Sequence, residues 1–464
     1  MGIIIGREHE KAELKRYYEA NSPQLIAIYG RRRVGKTYFI NNFFNFNFFF
    51  TCTGARKERK NIQIKHFLQQ LDSKENCSSW SEAFWLLREK IKNSSTSERK
   101  VIFIDEISWF DTPKSGFIQA FEYFWNSFCS NREDILFIIC GSSTSWIINK
   151  IFKNVGGLYN RVTGRLAFEP FTLYECNKYF EYRNVNFTKL EVLQAYMIFG
   201  GIPYYLNYFN HLFSFTQNID RLLFKNNSPL KAEYQELFCS LFENDERYRQ
   251  IIDILSNKIY GLTRKEIANL LKHSEGGNLT VMLQNLEASG IIRQYSNFPN
   301  RQKDAIYQLI DNFCFFYNKV IKNNDINDEN FWSNYIDTGK YYNWRGYAFE
   351  IVCLIHTKQI KLKLGISGIY TTVYSWRNQN CQIDLVFKRA DKVFNICEIK
   401  YTNEPYTINQ EDFENIHNKI REFRTATKTY SAILTTLVSI YPLNRNKYSN
   451  VIEREITLED LMSF

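Results

Sequence analysis

Near its start the chain runs Leu25-Ile26-Ala27-Ile28-Tyr29-Gly30-Arg31-Arg32-Arg33-Val34-Gly35-Lys36-Thr37. The apolar run Leu25–Tyr29 is too continuous for a strand with one wet face. It reads as a strand covered on both sides, the habit of parallel α/β sheets. The eight residues from Gly30 to Thr37 match G-x-x-x-x-G-K-[S/T], and Thr37 to Phe44 reads as a helix, so the motif has the strand-before, helix-after setting it needs. Gly30 and Gly35 let successive backbone N–H groups turn inward, and a helix N-terminus favours negative charge. Lys36 has the reach for β- and γ-phosphates, and the Thr37 hydroxyl suits Mg²⁺. ATP and Mg²⁺ are therefore the expected ligands, with Arg31, Arg32, Arg33, Val34 and Tyr38 completing the nucleotide-binding stretch. A Gly-rich structural turn is the plainer alternative.

Moving outward, Val101-Ile102-Phe103-Ile104-Asp105-Glu106 is an apolar strand ending in two acids. At the carboxyl end of a parallel strand, Asp105 would hold the Mg²⁺ shell through water, and Glu106 would orient and deprotonate the attacking water. Two such acids also cap helices. Phe48–Phe50 and Ile135–Cys140 read as further strands. The second ends at Gly141-Ser142-Ser143, where Ser142 is the residue expected to touch the γ-phosphate or the water. Arg161 and Arg165 are candidates for stabilising transition-state charge, in cis or in trans, against the plainer reading of surface arginines.

Strand signals stop after Phe171. Leu173 to Leu241 looks helical, broken at Gly200-Gly201-Ile202-Pro203. Thr263-Arg264-Lys265-Glu266 is a capping box opening a helix, and Asn278 to Ser289 is a second helix that stops at Gly290. Ile291–Tyr295 and Ala305–Leu309 flank a polar loop containing Pro299, which is winged-helix order. The Asn278–Ser289 helix has no Lys or Arg and carries Glu287. Packing against the ATPase core is therefore expected ahead of DNA contact, with Lys272, His273, Arg293, Arg301 and Lys303 as the basic residues at its margins. Asn323 to Asn330 reads as a linker.

The last region mixes a helix at Tyr347–His356 with strands at Ile369–Trp376, Ile383–Phe387, Val393–Lys400 and Ser431–Thr435. Glu398 and Lys400 are two apart and so point to one face of their strand. Asp384 on the neighbouring strand can lie beside them, and Glu350 on the preceding helix can add a carboxylate. Asp384 and Glu398 converging on Mg²⁺, with Lys400 holding or activating water, is what a metal-dependent phosphodiesterase needs. A D-x₁₃-E-x-K spacing also arises readily by chance.

Composition limits the remaining possibilities. The 464 residues are 44% apolar and 23% charged, with only 8 Pro and 20 Gly, which excludes a disordered or collagen-like chain. Lys plus Arg exceed Asp plus Glu by 59 − 49 = 10, a mild basic excess that permits an anionic partner. No apolar run approaches a membrane span, and the start is too soon charged for a signal peptide. The 10 Cys include no C-x-x-C pair, so reduced thiols and a cytoplasmic location are expected.

Ile5-Gly6-Arg7-Glu8, Tyr29–Thr37, Ile104-Asp105-Glu106, Cys140-Gly141-Ser142-Ser143, Leu158-Tyr159-Asn160-Arg161, Gly200-Gly201-Ile202-Pro203-Tyr204-Tyr205-Leu206 and the C-terminal Asp…Glu-x-Lys together resemble the archaeal-type ATPases of the AAA-related STAND class. The resemblance implies an α/β P-loop NTPase core with a parallel sheet (1–171), a helical lid (172–244), a winged helix (245–322) and a C-terminal α/β restriction-endonuclease-like domain of PD-(D/E)XK type (323–464). It places Gly6 and Arg7 near the adenine. Asn160 stands where a Gly commonly precedes the arginine. The function implied is a Mg²⁺-dependent ATPase whose nucleotide state controls the winged helix and the nuclease-like domain. The rival is a slowly hydrolysing switch with a non-catalytic C-terminal domain that binds DNA or protein. DNA and a regulatory protein are the partners this allows, together with oligomerisation; a membrane is not among them.

Overall fold

Strand β1 (Gln24–Gly30) lies inside a five-stranded sheet that also contains β2 (Phe50–Thr53), β3 (Lys100–Asp105), β4 (Ile135–Gly141) and β5 (Gly164–Phe168). The order is β2-β3-β4-β1-β5, and every pairing is parallel. The computed structural model describes residues 2–95, 98–153, 157–158, 160–242, 244–271, 277–296, 298, 305–324 and 328–463. Tyr159, Lys272, His273, Pro299, Arg301, Lys303 and residues 325–327 of the expected linker lie outside the described residues. The chain divides into two compact units, Met1–Pro170 and Phe171–Phe464.

In the first unit every residue of β3 and β4 is buried, as their unbroken apolar runs require. Helices α1 (Glu8–Tyr18), α2 (Lys36–Phe43), α3 (Lys60–Gln70), α4 (Trp80–Lys92) and α5 (Phe117–Ser127) flank the sheet. One face is closed by aromatic packing. Trp80 meets Phe117 edge-on at 5.0 Å, Phe84 stacks on Phe124 at 5.1 Å, and Phe121 meets Phe137 of β4 at 5.2 Å. The strand expected at Phe48–Phe50 begins at Phe50, because the chain is still turning out of α2 through Asn45 and Phe46, both at positive φ. Strand β5 escapes a search for apolar runs: it is an edge strand, and Arg165 and Ala167 alternate outward between buried Gly164, Leu166 and Phe168.

The second unit opens with helices α6 (Leu173–Tyr182), α7 (Lys189–Phe199) and α8 (Glu233–Leu241). Next come α9 (Asp245–Ser256), β6 (Leu262–Thr263), α10 (Arg264–Leu270), α11 (Gly277–Ala288), β7 (Ile292–Tyr295) and β8 (Ile306–Leu309), with an antiparallel sheet of order β6-β8-β7. The Thr263–Glu266 capping box is formed. The two-residue strand β6 is too short to show in the sequence.

The last segment contains α12 (Gly339–Ile355), β9 (Thr371–Arg377), β10 (Gln382–Arg389), β11 (Val393–Lys400), α13 (Gln410–Thr427), β12 (Ala432–Ser439) and β13 (Arg454–Ile456). Its sheet runs β13-β12-β11-β10-β9. Strands β9, β10 and β11 form an antiparallel meander, while β12 lies parallel to β11. A parallel neighbour demands a crossover, and the 18-residue helix α13 lies in that connection.

Tyr295 of β7 and Ile306 of β8 belong to one apolar cluster with Tyr374, Trp376, Ile383 and Phe394 of this sheet. The β7–β8 pair therefore packs on the C-terminal sheet. Arg293, expected at a DNA-facing margin, donates from Nε to Gln308 Oε1 (2.7 Å) and from Nη2 to Ser375 Oγ (2.9 Å). Burial lowers its pKa to about 10, and both bonds hold it within that packing.

The aromatic core of the first unit yields a direct test. Phe117 is fully buried between Trp80 and Phe110. Phe117→Ala should destabilise this unit by about 3–5 kcal/mol, read as a lower urea midpoint for its unfolding transition. An unchanged midpoint would show that the cluster does not carry the core.

Candidate nucleotide site and C-terminal acidic cavity

Parallel pairing brings the carboxyl ends of β1, β3 and β4 to one edge of the first sheet, where Tyr29 pairs with Gly141 and Ile104 with Ile139. The Gly30–Thr37 loop leaves β1 there and opens α2. Lys36 Nζ donates to the carbonyls of Gly30 (2.8 Å) and Arg31 (2.9 Å), so it lies folded into its own loop. Burial pushes its pKa below the ordinary lysine value, with Glu106 and Asp105 among the groups that partly oppose the shift. An ammonium held this way gains from the arrival of a phosphate. Gly30 is needed for space: a Cβ there would lie 2.2 Å from the Phe168 carbonyl oxygen.

Thr37 Oγ1 donates to Asp105 Oδ2 at 2.7 Å, which leaves the hydroxyl's lone pairs for a cation. Hydroxyl and carboxylate oxygens are the hard donors Mg²⁺ takes, so the residues present fit that ion. The other oxygen of Asp105 accepts the Glu106 N–H at 2.9 Å. Glu106 is left-handed, φ 47°, ψ 45°, at a cost of about 1–2 kcal/mol for a residue with a Cβ. Its carboxylate Oε2 accepts from Ser142 Oγ (2.9 Å) and from Ser142 N (3.2 Å). Thr37, Asp105, Glu106 and Ser142 thus form one hydrogen-bonded chain beside Lys36.

Other expected residues stand differently. Arg7, buried and at φ 61°, donates from Nη2 to the carbonyls of Val34 (3.2 Å) and Glu169 (2.8 Å) and lies 5.0 Å over the Phe168 ring. It ties the loop to the end of β5. Tyr38 Oη donates to the Ile3 carbonyl at 3.2 Å. Arg31 is buried, and Arg32 and Arg33 are half-buried.

Arg161 is exposed and precedes β5, whose first residue pairs with Ile26 while Thr163 N donates to the Leu25 carbonyl. That is the amino end of the sheet. Four strand steps from Ile26 to Gly30 are about 13 Å, so Arg161 is not brought to the phosphate loop of its own chain. Arg165 packs its guanidinium 4.4 Å over Phe152.

In the second unit, a cavity of about 460 Å³ collects Glu350 from α12, Asp384 from β10, Glu398 and Lys400 from β11, and Lys419 from α13. The register Leu385–Cys397 sets Asp384 across from Glu398. Glu398 is gripped at both oxygens, by Lys400 Nζ at 3.1 Å and by Lys419 Nζ at 2.6 Å. Burial alone would raise Glu398, but the two lysines outweigh it and hold the carboxyl below its ordinary value. Asp384 is raised to about 6 by burial and by Glu398, and Glu350 goes well above its ordinary value by burial and its two acidic neighbours. Lys419 was not legible in advance. Its signal was the apolar stripe Phe413, Ile416, Ile420 and Phe423, at helical spacing.

Among the described residues, no group of three or more His, Cys, Asp or Glu side chains stands ready to hold a metal ion. Asp384, Glu398 and Glu350 nonetheless line the same cavity. Lys419 Nζ occupies one oxygen of Glu398 inside that cavity.

Comparison with known proteins places these observations. Residues 4–209 match a family described as an ATPase domain predominantly from Archaea, and the chain accordingly carries an ATPase domain of archaeal type. The chain is 26% identical over 413 residues, covering 86% of it and 88% of its relative, to the uncharacterized protein MJECL04 of Methanocaldococcus jannaschii. Among solved structures it is similar to the Walker-type ATPase PABY2304 of Pyrococcus abyssi, with TM-score 0.47 and 19% identity over 68% of this chain and 96% of that one. The ORC2 protein of Aeropyrum pernix, solved with ADPNP and ADP, is similar with TM-score 0.41 and 11% identity over 65% and 89% of the two chains. No helix among the described residues is long and apolar enough to cross a membrane.

Two measurements test this geometry. Because the folded pKa of Asp384 is raised to about 6, its ionised form costs stability, roughly 3 kcal/mol at neutral pH. The cost is absent below about pH 4, where the unfolded state is protonated too, and complete above about pH 6. Asp384→Asn should therefore raise the melting temperature of the second unit at pH 7.5 and much less at pH 4.5; an equal gain at both would refute the shift. For Arg161, the amino-end position leaves only a neighbouring molecule's nucleotide as its target. Turnover per chain should rise with protein concentration, and Arg161→Ala should flatten that rise. Concentration-independent turnover would leave Arg161 a surface residue.

Proposed function

We propose that this chain is a Mg²⁺-dependent ATPase whose nucleotide state governs the C-terminal cavity, with nucleic-acid phosphate as the cavity's ligand. One bond carries the first half: Thr37 Oγ1 to Asp105 Oδ2, directly behind Lys36. It joins the helix that follows the phosphate loop to the acid at the end of β3, which is the pairing a nucleotide-bound Mg²⁺ requires. Bound Mg²⁺ would neutralise charge shared by the β- and γ-phosphates. Lys36 would leave its loop carbonyls for phosphate oxygens, and Glu106 would orient the attacking water and take its proton.

For the second half, residues 323–464 are read as a PD-(D/E)XK-like unit and residues 245–322 as a winged helix serving as its support. The packing of β7 and β8 on the C-terminal sheet favours that supporting role. The double lysine grip on Glu398 favours binding of a phosphodiester over its cleavage, since the acid already has its counter-ions. This supports the reading of a nucleotide-controlled DNA-binding unit without nuclease turnover.

Lys36→Ala should abolish ATP hydrolysis and weaken nucleotide binding. Glu106→Gln should keep binding and slow single-turnover cleavage by about 10² or more. Wild-type turnover in Lys36→Ala would remove the phosphate-loop assignment. DNA affinity should fall steeply as salt rises and drop further in a Lys400→Ala, Lys419→Ala double variant. DNA binding indifferent to both lysines would move the contact elsewhere.

A further inference from the structure

The C-terminal sheet has a second edge, at the strand ends away from the acidic cavity. The cavity takes Asp384 from the start of β10 and Lys400 from the end of β11. At the opposite ends, Arg389 of β10 pairs with Thr371 of β9, and Val393 of β11 pairs with Ala432 of β12. Tyr370 precedes β9, and its carbonyl accepts the Ala390 N–H of the β10–β11 turn at 2.9 Å. Tyr430 lies just before β12. Among the described residues these two tyrosines are the most exposed large apolar side chains, at 80% and 101% of full accessibility. Three strand spacings, about 14 Å, separate them along the edge. Exposed Lys392, Arg424 and Lys428 stand on the same edge, where Arg424 Nη1 donates to the Ser431 carbonyl at 3.2 Å. Asp391 is the one acid in the stretches 369–372, 388–393 and 424–432, and it is paired with Arg389. Lys392 and Lys428 are both left-handed, φ 62° and 52°, positions that glycine takes more easily. The turns themselves therefore do not call for lysine.

We propose that this edge binds single-stranded nucleic acid, with Tyr370 and Tyr430 as stacking platforms for two bases and Lys392, Arg424 and Lys428 as phosphate contacts. An unpaired base can lie flat on an exposed ring whatever its identity, and cations alongside follow the backbone. In a duplex the base faces are already covered by their neighbours, so the rings gain nothing there. An acidic peptide would meet the same cations but offers the rings no flat partner. The inference goes beyond the reading of the cavity as a phosphate site. The two surfaces lie at opposite ends of the same strands, and neither needs the other.

The test uses the full chain carrying Lys400→Ala and Lys419→Ala, so that the cavity lysines do not contribute. It is titrated with a fluorescein-labelled oligothymidylate, with a duplex of equal length and with an abasic oligomer that keeps the phosphates alone. Tyr370→Ala and Tyr430→Ala should each weaken oligothymidylate binding about tenfold, within the range for one stacked base. Tyr370→Phe and Tyr430→Phe keep the ring and should bind like the parent. None of these four changes should alter binding of the abasic oligomer. Lys392→Gln with Lys428→Gln should flatten the slope of log affinity against log salt by about 1.4, the share of two single-strand phosphate contacts. The substituted side chains are exposed, so the fold should tolerate each change. No binding of oligothymidylate, a preference for the duplex, unchanged affinity in both Tyr→Ala variants, or an equal loss on the abasic oligomer would overturn the proposal. So would tyrosine-dependent binding to phosphatidylserine vesicles with none to the oligomer. In the unsubstituted chain, DNA binding that needs Lys400 and Lys419 but ignores both tyrosines keeps the cavity reading and removes this one. Binding that needs the tyrosines but ignores those two lysines does the reverse.

Discussion

The hydrogen-bonded chain from Thr37 through Asp105 and Glu106 to Ser142 exists because three parallel strands end side by side. A parallel sheet puts every carboxyl end on one edge, and in the order β2-β3-β4-β1-β5 the ends of β3, β4 and β1 are adjacent there. Short polar side chains can then reach across neighbouring strands. Were β3 antiparallel to β4, Asp105 and Ser142 would lie at opposite ends of the sheet. The aromatic packing of Trp80, Phe84, Phe117 and Phe121 holds the same strands from behind. The precision at the edge therefore depends on a dry, close-packed face below it.

The two charged sites are opposite in character. At the first sheet a buried lysine waits among backbone carbonyls, below its ordinary pKa and short of anions. In the C-terminal cavity the scarcity is reversed. Three acids crowd together, and two lysines from different elements pair with Glu398, leaving Asp384 and Glu350 with raised pKa values. A buried carboxylate gripped by two ammonium groups is costly to strip of either partner. The second site thus balances its charges internally, whereas the first holds its lysine against backbone carbonyls.

How legible each element was follows from how local its cause is. The strand–loop–helix from Leu25 to Phe43 needs only neighbouring residues, so an apolar run, two glycines and a helix start reveal it. The Thr263–Glu266 cap is equally local. Strand β5 is not, because its alternating pattern makes sense only at a sheet edge with one exposed face. Arg293 looked like a basic margin residue, yet its partners Gln308 and Ser375 are 15 and 82 residues away. Lys419 lies 21 residues beyond Glu398 on a helix whose apolar stripe is thin, with Ile416 and Phe423 its buried residues.

What the sequence by itself determined is the chemistry available: a lysine and a threonine behind a glycine loop, acids after an apolar strand, and a Glu-x-Lys pair on one strand face. Periodicity and turn residues act over a few positions, and the order of side chains along a strand follows from them. Tertiary structure alone decided which of these groups meet. It set Glu106 on Ser142, sent Arg7 to the loop carbonyls, stranded Arg161 at the amino end of the sheet, and delivered Lys419 to Glu398. Each outcome depends on strand order, crossover and packing, and these arise from burying apolar faces between segments tens of residues apart, which no local pattern encodes.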